Sequence, residues 1–268
     1  MAIDQARWQQ ENPVSLYPRP MVPIDHVEPC PRRIRALLNG EWVFDTNAAR
    51  YVWEWPHYPH YYIPLADIRQ ELLVDEHDLE QYSGGTARQY GIRVGDRYHP
   101  GCVRVHTEKS VEGLADMVRF DWNVLDTWFE EDEEVFVHPR DPYTRVDALR
   151  STRRVRIELD GEVLAESGSP VLVFETGLPT RYYLNRAEVA LGRLIPTETV
   201  TPCPYKGRTS NYWSVQIGDT RHEDIAWSYD FPTHLLQPIA GMVAFFNERV
   251  DIVVDGELLP RPKTRWSS

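Results

Sequence analysis

The chain has 268 residues, of which 42% are hydrophobic and 26% are charged, a balance typical of folded globular proteins and not of disordered ones. Its formal net charge of −12 disfavours a nucleic-acid backbone or an anionic membrane surface as a partner. No apolar stretch approaches the roughly 20 residues of a membrane-spanning helix. The N-terminus shows no apolar signal segment, so we expect a cytoplasmic protein.

The two ends of the chain differ in composition from the rest. Residues 1–31 are rich in proline, which lacks a backbone N–H and fixes φ, so we predict an extended N-terminal arm there. Residues 261–268 contain Arg261, Lys263 and Arg265, and we interpret this basic tail as a solubilising segment.

The sequence between these ends repeats itself. Residues 33–41 match residues 154–162 at an offset of 121 residues (154 minus 33), and the same offset places Glu54 on Glu175 and Tyr62 on Tyr183. A period of this length fits a duplicated domain and is too long for a solenoid. We therefore place a first repeat at 32–147, a junction at 148–151 and a second repeat at 152–260.

Short alternating stretches predict strands in both repeats. Residues 155–159 alternate apolar and polar side chains, and Asp160-Gly161 follows them as a type I′ hairpin signal. Asn39-Gly40 supplies the same signal in the first repeat. Because sustained helical periodicity is rare, we predict an all-β protein with two tandem domains of small antiparallel sheets and short helical turns only.

Four motifs stand out in the second repeat, at residues 175–183, 203–207, 226–229 and 239–246. In this order they resemble the bacterial domain-of-unknown-function 427 family, and the resemblance covers essentially the whole second repeat. The first repeat matches more loosely, since Gln81-Tyr82-Ser83-Gly84 stands where the second repeat has Pro204-Tyr205-Lys206-Gly207. We therefore expect the first repeat to be a degenerate scaffold copy.

The resemblance implies a β-tent fold, in which two or three small coiled antiparallel sheets meet at an angle. Methionine sulfoxide reductase B and the thalidomide-binding domain of cereblon share this fold, and such relatives often hold a structural zinc on two CxxC pairs. Cys30, Cys102 and Cys203 are far apart and form no CxxC, so we expect neither a metal nor another cofactor here.

Cys203 and Lys206 form the sharpest local feature of the second repeat and are its candidate catalytic residues. An ammonium three residues from a thiol can hold it as a thiolate, which would serve as a nucleophile or a redox centre. The alternative is a buried cysteine in a proline-bent loop, with Lys206 solvated.

Glu175, Arg181 and Lys206 are charges embedded among apolar and aromatic residues. A glutamate that points inward needs a partner, and Arg181 or Lys206 would be the natural one. The set either orients a polar ligand or forms an internal salt bridge. Because Glu54 occupies the same position in the first repeat, which has no counterpart of Lys206, the structural role is favoured for Glu175.

Aromatic residues of the second repeat either line a cleft or fill the core, and we expect two or three of them to line a pocket. Tyr182 and Tyr183 must face opposite sides of their strand, because successive side chains alternate. The predicted ligand-binding residues are Glu175, Arg181, Tyr183, Cys203, Tyr205, Lys206, Trp227 and Tyr229.

Two polar features of the first repeat are interpreted as surface residues without a role in binding or catalysis. His57 and His60 lie close to Glu54 in the chain, but their proline-rich loop lacks the rigid spacing of a helical metal site, so we favour surface histidines. The acidic stretch 130–134 is favoured as a solvated loop over a site for a metal or a cationic partner.

The leading functional hypothesis is a small-molecule-binding module with an aromatic-lined pocket in the second repeat. One alternative is an enzyme that uses Cys203 and Lys206, either thiol-based or a transferase as some labels of the resembling family suggest. Another is a protein-interaction scaffold whose acidic segment docks a basic partner. We expect neither nucleic acid nor membrane as a partner, and the sequence specifies neither the ligand nor the oligomeric state.

Overall fold

The computed structural model of the chain describes residues 22–82, 85–107, 111–264 and 266–267, without the side chain of Tyr82. Residues 1–21 of the predicted arm, Ser83-Gly84 and Arg265 of the basic tail lie outside the described residues. The described part forms two compact units, a first unit that ends at Asp141 and a second unit that begins at Pro142.

The prediction of an all-β fold is confirmed, because 51% of the described residues are in strands and the helical elements among them are short 3₁₀ turns. The 3₁₀ turns are Leu65–Asp67, Gln70–Leu72, Trp122–Val124, Arg186–Glu188, Leu191–Arg193 and His234–Ile239. No helix among the described residues is long and apolar enough to cross a membrane.

The first unit contains eleven strands in its described part. They are β1 (Val27–Pro29), β2 (Ile34–Leu38), β3 (Glu41–Thr46), β4 (Arg50–Val52), β5 (His60–Pro64), β6 (Leu73–Tyr82), β7 (Gly85–Val94), β8 (Arg97–His106), β9 (Met117–Phe120), β10 (Thr127–Glu130) and β11 (Glu133–Val135). A seven-stranded antiparallel sheet has the order β1-β4-β5-β9-β8-β7-β6, and a four-stranded sheet has the order β11-β10-β2-β3.

The second unit repeats this plan. Its strands are β12 (Val146–Arg150), β13 (Val155–Leu159), β14 (Glu162–Ser167), β15 (Val171–Glu175), β16 (Arg181–Leu184), β17 (Leu194–Thr197), β18 (Pro202–Cys203), β19 (Gly207–Arg208), β20 (Asn211–Ile217), β21 (Thr220–Ser228), β22 (Val243–Phe245), β23 (Asp251–Val254) and β24 (Glu257–Leu258). The sheets have the orders β12-β15-β16-β22-β21-β20-β17 and β14-β13-β23-β24, and β18 pairs with β19 alone.

The edge strand of each seven-stranded sheet comes from a segment that the sequence placed elsewhere. β12 runs through most of the predicted junction and pairs residue for residue with β15, from Val146 opposite Glu175 to Arg150 opposite Val171. β1, inside the predicted arm, pairs in the same way with β4. These segments form strands because they pair with the unpaired N–H and C=O groups at the edge of a sheet. Their own alternation of apolar and polar side chains is weak, so the sequence did not predict them as strands.

The hairpin turns have the geometry that their sequences predict. Asn39 and Gly40 have φ of 52° and 78°, and Asp160 and Gly161 have φ of 49° and 82°. Positive φ at both central residues is the type I′ turn, which matches the twist of the strands on either side.

The seven-stranded sheet of the second unit carries a buried core on each face. Tyr182 belongs to the core shared with the four-stranded sheet, and Tyr183 belongs to the core on the other face, so the predicted opposition of these two side chains is confirmed. The 3₁₀ turn His234–Ile239 and β12 contribute residues to this second core. We call its rings the aromatic cluster, which consists of Tyr183, Tyr212, Trp227, Tyr229 and Phe246.

Candidate functional site

The aromatic cluster is tightly packed. The Trp227 indole N–H donates to the Tyr183 hydroxyl over 3.2 Å, and the ring of Trp227 lies 4.5 Å from that of Phe246 between centroids. Burial raises the pKa of Tyr183 to about 12, and burial is also the main cause that raises the pKa of Tyr229 well above 10. Both phenols are therefore neutral, and the rings form a floor of low polarity.

A buried ion pair lies beside this floor. The ammonium of Lys206 contacts the carboxylate of Glu175, and the two side chains are only 9% and 8% exposed. Burial lowers the pKa of Lys206, but the negative charge of Glu175 outweighs it and the net pKa lies above 10.5, so the lysine is charged. The partner of Glu175 is thus Lys206 and not Arg181, and the alternative of a solvated Lys206 is wrong because the side chain is buried.

Lys206 is held at the turn of a small hairpin, residues 202–208, formed by β18 and β19. Thr233 fastens this turn, because its N–H donates to the Lys206 carbonyl over 3.1 Å and its hydroxyl donates to the Tyr205 carbonyl over 2.5 Å. Gly207 follows Lys206 and has a φ of 96°. A Cβ atom added to Gly207 would lie 3.6 Å from the carbonyl oxygen of Phe231. Only glycine adopts this conformation without strain, which explains the Lys-Gly sequence of the motif.

Cys203 differs from the other two cysteines in its surroundings. All three thiols are free, but Cys203 is half-buried whereas Cys30 and Cys102 are 3% and 5% exposed. Burial raises the pKa of Cys30, and it raises the pKa of Cys102 to about 11. The accessible thiol is therefore the one in the 202–208 hairpin.

We predict that Cys203 is the first thiol to react with an alkylating reagent. Iodoacetamide at neutral pH is expected to label it at least about tenfold faster than Cys30 or Cys102, because reactivity follows thiolate content and access. Peptide mass spectrometry over a time course measures the three rates. Equal rates for the three cysteines would contradict the prediction.

Arg181 belongs to a different network from Glu175. Its guanidinium donates to the two carboxylate oxygens of Glu248 over 2.7 and 2.8 Å and to the Asn247 amide oxygen over 3.1 Å. The guanidinium carbon also lies 5.8 Å from the ring centre of Trp227 and 5.5 Å from that of Trp266. Sequence reasoning missed Glu248 as the partner because it follows Arg181 by 67 residues.

A small cavity of about 130 Å³ lies beside this network. It is lined by Thr180, Tyr182, Asn247, Val250, Ile252, Leu259, Pro260 and Pro262. Tyr182 lines this cavity, whereas Tyr183 faces the other side of the sheet. Sites for drug-sized ligands occupy roughly 300–1,000 Å³, so this cavity fits only a small fragment.

The first unit has its own buried charges around Glu54, the counterpart of Glu175. One oxygen of Glu54 accepts hydrogen bonds from the Tyr62 hydroxyl over 2.8 Å and from Arg119 Nε over 3.1 Å. Burial raises the pKa of Glu54, but neighbouring His60, Arg119 and Arg104 outweigh burial and lower the pKa to about 2. The glutamate common to both repeats therefore keeps a cationic partner, and the partner differs between them.

His60 and His106 lie close to Glu54, and the expectation that His60 is a surface residue is wrong. The side chain of His60 is 19% exposed, and His106 is 1% exposed. We call Glu54, His60, Arg104, His106 and Arg119 the Glu54 cluster. Sequence reasoning missed it because Arg104 and Arg119 have no charged counterparts in the second repeat and lie far from Glu54 in the chain. Sheet register places them where the second unit has Trp227 and Ala244.

The acidic stretch of the first unit is only partly solvated. Glu130 is 3% exposed and accepts a hydrogen bond from Arg32 over 2.5 Å, while Glu131 is exposed at the turn between β10 and β11. The strand alternation of β10 turns Glu130 inward, and an inward carboxylate needs a cation.

Comparison with known families follows the same division of the chain. The profile of a family described as Domain of unknown function (DUF427) matches residues 26–131 and again residues 147–256. The first match begins one residue before the edge strand β1, and the second begins within the edge strand β12. Among curated proteins, no match to the chain was found. Since the two matches cover well over half of the sequence, the chain belongs to the DUF427 family and carries two tandem copies of its domain.

Proposed function

We propose that the second unit is a small-molecule-binding module whose ligand lies between the 202–208 hairpin and the aromatic cluster. The observation that carries the proposal is the buried pair of Lys206 and Glu175 at the edge of neutral aromatic rings. Burying two charges costs more than burying an apolar pair of the same size, so stability alone gives little reason for the pair. A ligand carboxylate or carbonyl can accept from Lys206 in place of Glu175.

The hairpin has the features of a cover over this site. Its strands β18 and β19 form a two-stranded sheet of their own and do not pair with a strand of the seven-stranded sheet, so the hairpin can shift without breaking the strand pairing of that sheet. Tyr205 and Cys203 are half-buried on it, and Tyr183 and Tyr229 provide the apolar floor. Arg181 is engaged by Glu248, and we assign it the positioning of the Trp227 ring.

The test removes both charges together so that no buried charge is left unpaired. A library of small aromatic carboxylates and amides is screened by thermal shift against the full chain, the double variant Lys206→Met/Glu175→Gln, and the control Lys263→Met. Lys263 is an exposed lysine of the same unit. We expect ligands that stabilise the wild type and the control but bind the double variant about 10–150-fold more weakly, the effect of losing one charged hydrogen bond.

Two results would count against this proposal. A ligand whose stabilisation is the same in the double variant does not use the ion pair, and a ligand lost only on altering the first unit binds elsewhere. The absence of any stabilising compound from such a library would also reject an aromatic carboxylate or amide site.

An enzyme that uses Cys203 is the second candidate function, and the half-buried thiol on the same hairpin as Lys206 favours it. In that case Cys203→Ser abolishes turnover of a ligand found in the screen without weakening its binding. Binding without turnover leaves the module as a binding protein. We place either activity in the cytoplasm, where free thiols such as these three are maintained in the reduced form.

A further inference from the structure

The Glu54 cluster of the first unit contains an arrangement of polar atoms that its own contacts leave incomplete. Arg104 on β8 and Arg119 on β9 are directly opposite residues of neighbouring strands, so both guanidinium groups reach the same face of the sheet. Glu54, which follows β4, accepts a hydrogen bond from Arg119 but none from Arg104; its other hydrogen bond comes from the Tyr62 hydroxyl. The contact of Glu54 with Arg104 is a longer ion pair.

A gap separates the second oxygen of Glu54 from two neighbours. Glu54 Oε2 is 3.9 Å from His60 Nε2 and 4.0 Å from Arg104 Nη1, distances too long for hydrogen bonds. Within the described residues this oxygen accepts no hydrogen bond. The Arg104 guanidinium makes only ion pairs there, the other one being with Glu80 at 3.4 Å. A single polar atom about 2.8 Å from each neighbour would bridge two groups that are 4 Å apart.

The charges around the gap select the kind of group that fits. Glu54 repels an anion, and Arg104 repels a cation. A neutral hydroxyl satisfies both sides, because it donates to the carboxylate and accepts from the guanidinium.

Aromatic side chains stand next to these polar atoms. The ring of Tyr58 stacks on that of His138 at 3.6 Å and lies 6.0 Å from the ring of His60. Trp55 packs edge-on against Tyr58 at 4.4 Å, and all of these rings are partly exposed. Flat rings beside fixed donors and acceptors suit a molecule that has both hydroxyl groups and a C–H face.

We propose that the Glu54 cluster is a second ligand site of this protein, one that binds a neutral polyhydroxylated small molecule such as a monosaccharide or cyclic polyol. A ligand hydroxyl bridges Glu54 Oε2 and Arg104 Nη1, and the ring of the ligand packs on Tyr58. The second unit lacks this arrangement, because Trp227 and Ala244 replace the two arginines. The first repeat is thus a site of different specificity and not a degenerate scaffold, independently of what the second unit binds.

The test measures binding of D-glucose, D-ribose and myo-inositol to the full chain by ligand-observed NMR and titration calorimetry. The variant is Arg104→Met, and the matched control is Arg97→Met, an arginine of the same strand that is 53% exposed. We expect at least one probe to bind the wild type and the control equally. Binding to Arg104→Met should be weaker by at least about tenfold, as the loss of a hydrogen bond to a charged group predicts.

Arg104→Lys provides a second variant if methionine disturbs the fold. It keeps the positive charge but replaces the planar fork, so binding should weaken while the melting temperature stays close to that of the wild type. The proposal is overturned if none of the three probes binds, or if binding is unchanged in a folded Arg104 variant. It is equally overturned if acetate or phosphate competes with the probe, since that result would identify an anion site.

Discussion

Replacing Arg181 by methionine is expected to lower the free energy of unfolding of the second unit by about 3–5 kcal/mol, because it leaves the buried carboxylate of Glu248 without its cation. Glu248 is fully buried, and Arg181 supplies two charge-assisted hydrogen bonds to it. Burial raises the pKa of Glu248, but those hydrogen bonds outweigh burial and lower it, so the carboxylate is ionised. Equilibrium urea unfolding of the full chain measures the change, and hydrogen exchange assigns it to residues 142–267.

Two further variants define the origin of the loss. The double variant Arg181→Met/Glu248→Gln should recover a large part of the stability, because it removes the buried charge together with its partner. Arg153→Met breaks a pair with Asp255 in which both side chains are about half exposed, and it should leave the unfolding midpoint unchanged. A loss for Arg181→Met no larger than that for Arg153→Met would contradict the structure of this network.

Acidification should unfold the first unit before the second. The pKa of His60 and that of His106 are lowered from 6.5 to about 4, mainly by burial. The negative charge of Glu54 raises both pKa values, whereas the positive charges of Arg104 and Arg119 lower them further. His138 adds to the effect at His60, and Glu80 opposes it at His106. Between pH 6.5 and 4 the unfolded chain therefore binds protons that the folded unit does not, so stability falls as the pH falls.

The expected loss is on the order of 3 kcal/mol for each histidine across that window. Glu54 adds a further loss of stability as the pH falls from 4.5 to about 2, because its pKa in the folded unit is lower than in the unfolded chain. Hydrogen exchange at a series of pH values follows residues 22–141 and 142–267 separately in the same chain.

The control for this prediction is His60→Gln/His106→Gln, which keeps polar side chains but removes both titrating groups. The double variant should lose most of the pH dependence of the first unit between pH 6.5 and 4 while the second unit is unaffected. If both units lose stability in parallel, or if the slope survives the double substitution, the histidines are not its cause.

Features set by neighbouring residues were predicted well from the sequence. Asp160-Gly161 specified a hairpin because its two residues tolerate positive φ, and the alternation of Tyr182 and Tyr183 placed them on opposite faces. The internal repeat located two domains because each copy needs the same set of strands to close its core. The inward glutamate of the second repeat predicted a cationic partner, although two candidates remained.

The partner choices themselves came only from the tertiary structure. Which cation meets Glu175 or Glu248 depends on how strands far apart in the chain align, so Lys206 and Arg181 were assigned only by the fold. The boundary at Asp141 is also tertiary, because β12 is defined by the sheet edge it completes.

The class of fold, the duplication and the DUF427 relationship follow from the amino-acid sequence alone, since all three depend on local patterns that recur along the chain. Which buried charges meet depends on the folded sheets, and these bring His60, Arg104 and Arg119 around Glu54 in the repeat that was expected to be degenerate. These residues come from three strands and one connecting loop, and no spacing in the sequence records their approach. Burial and cross-strand register are properties of the folded sheet; they gave His60 and Glu54 their shifted pKa values and placed Arg104 and Arg119 on a common face.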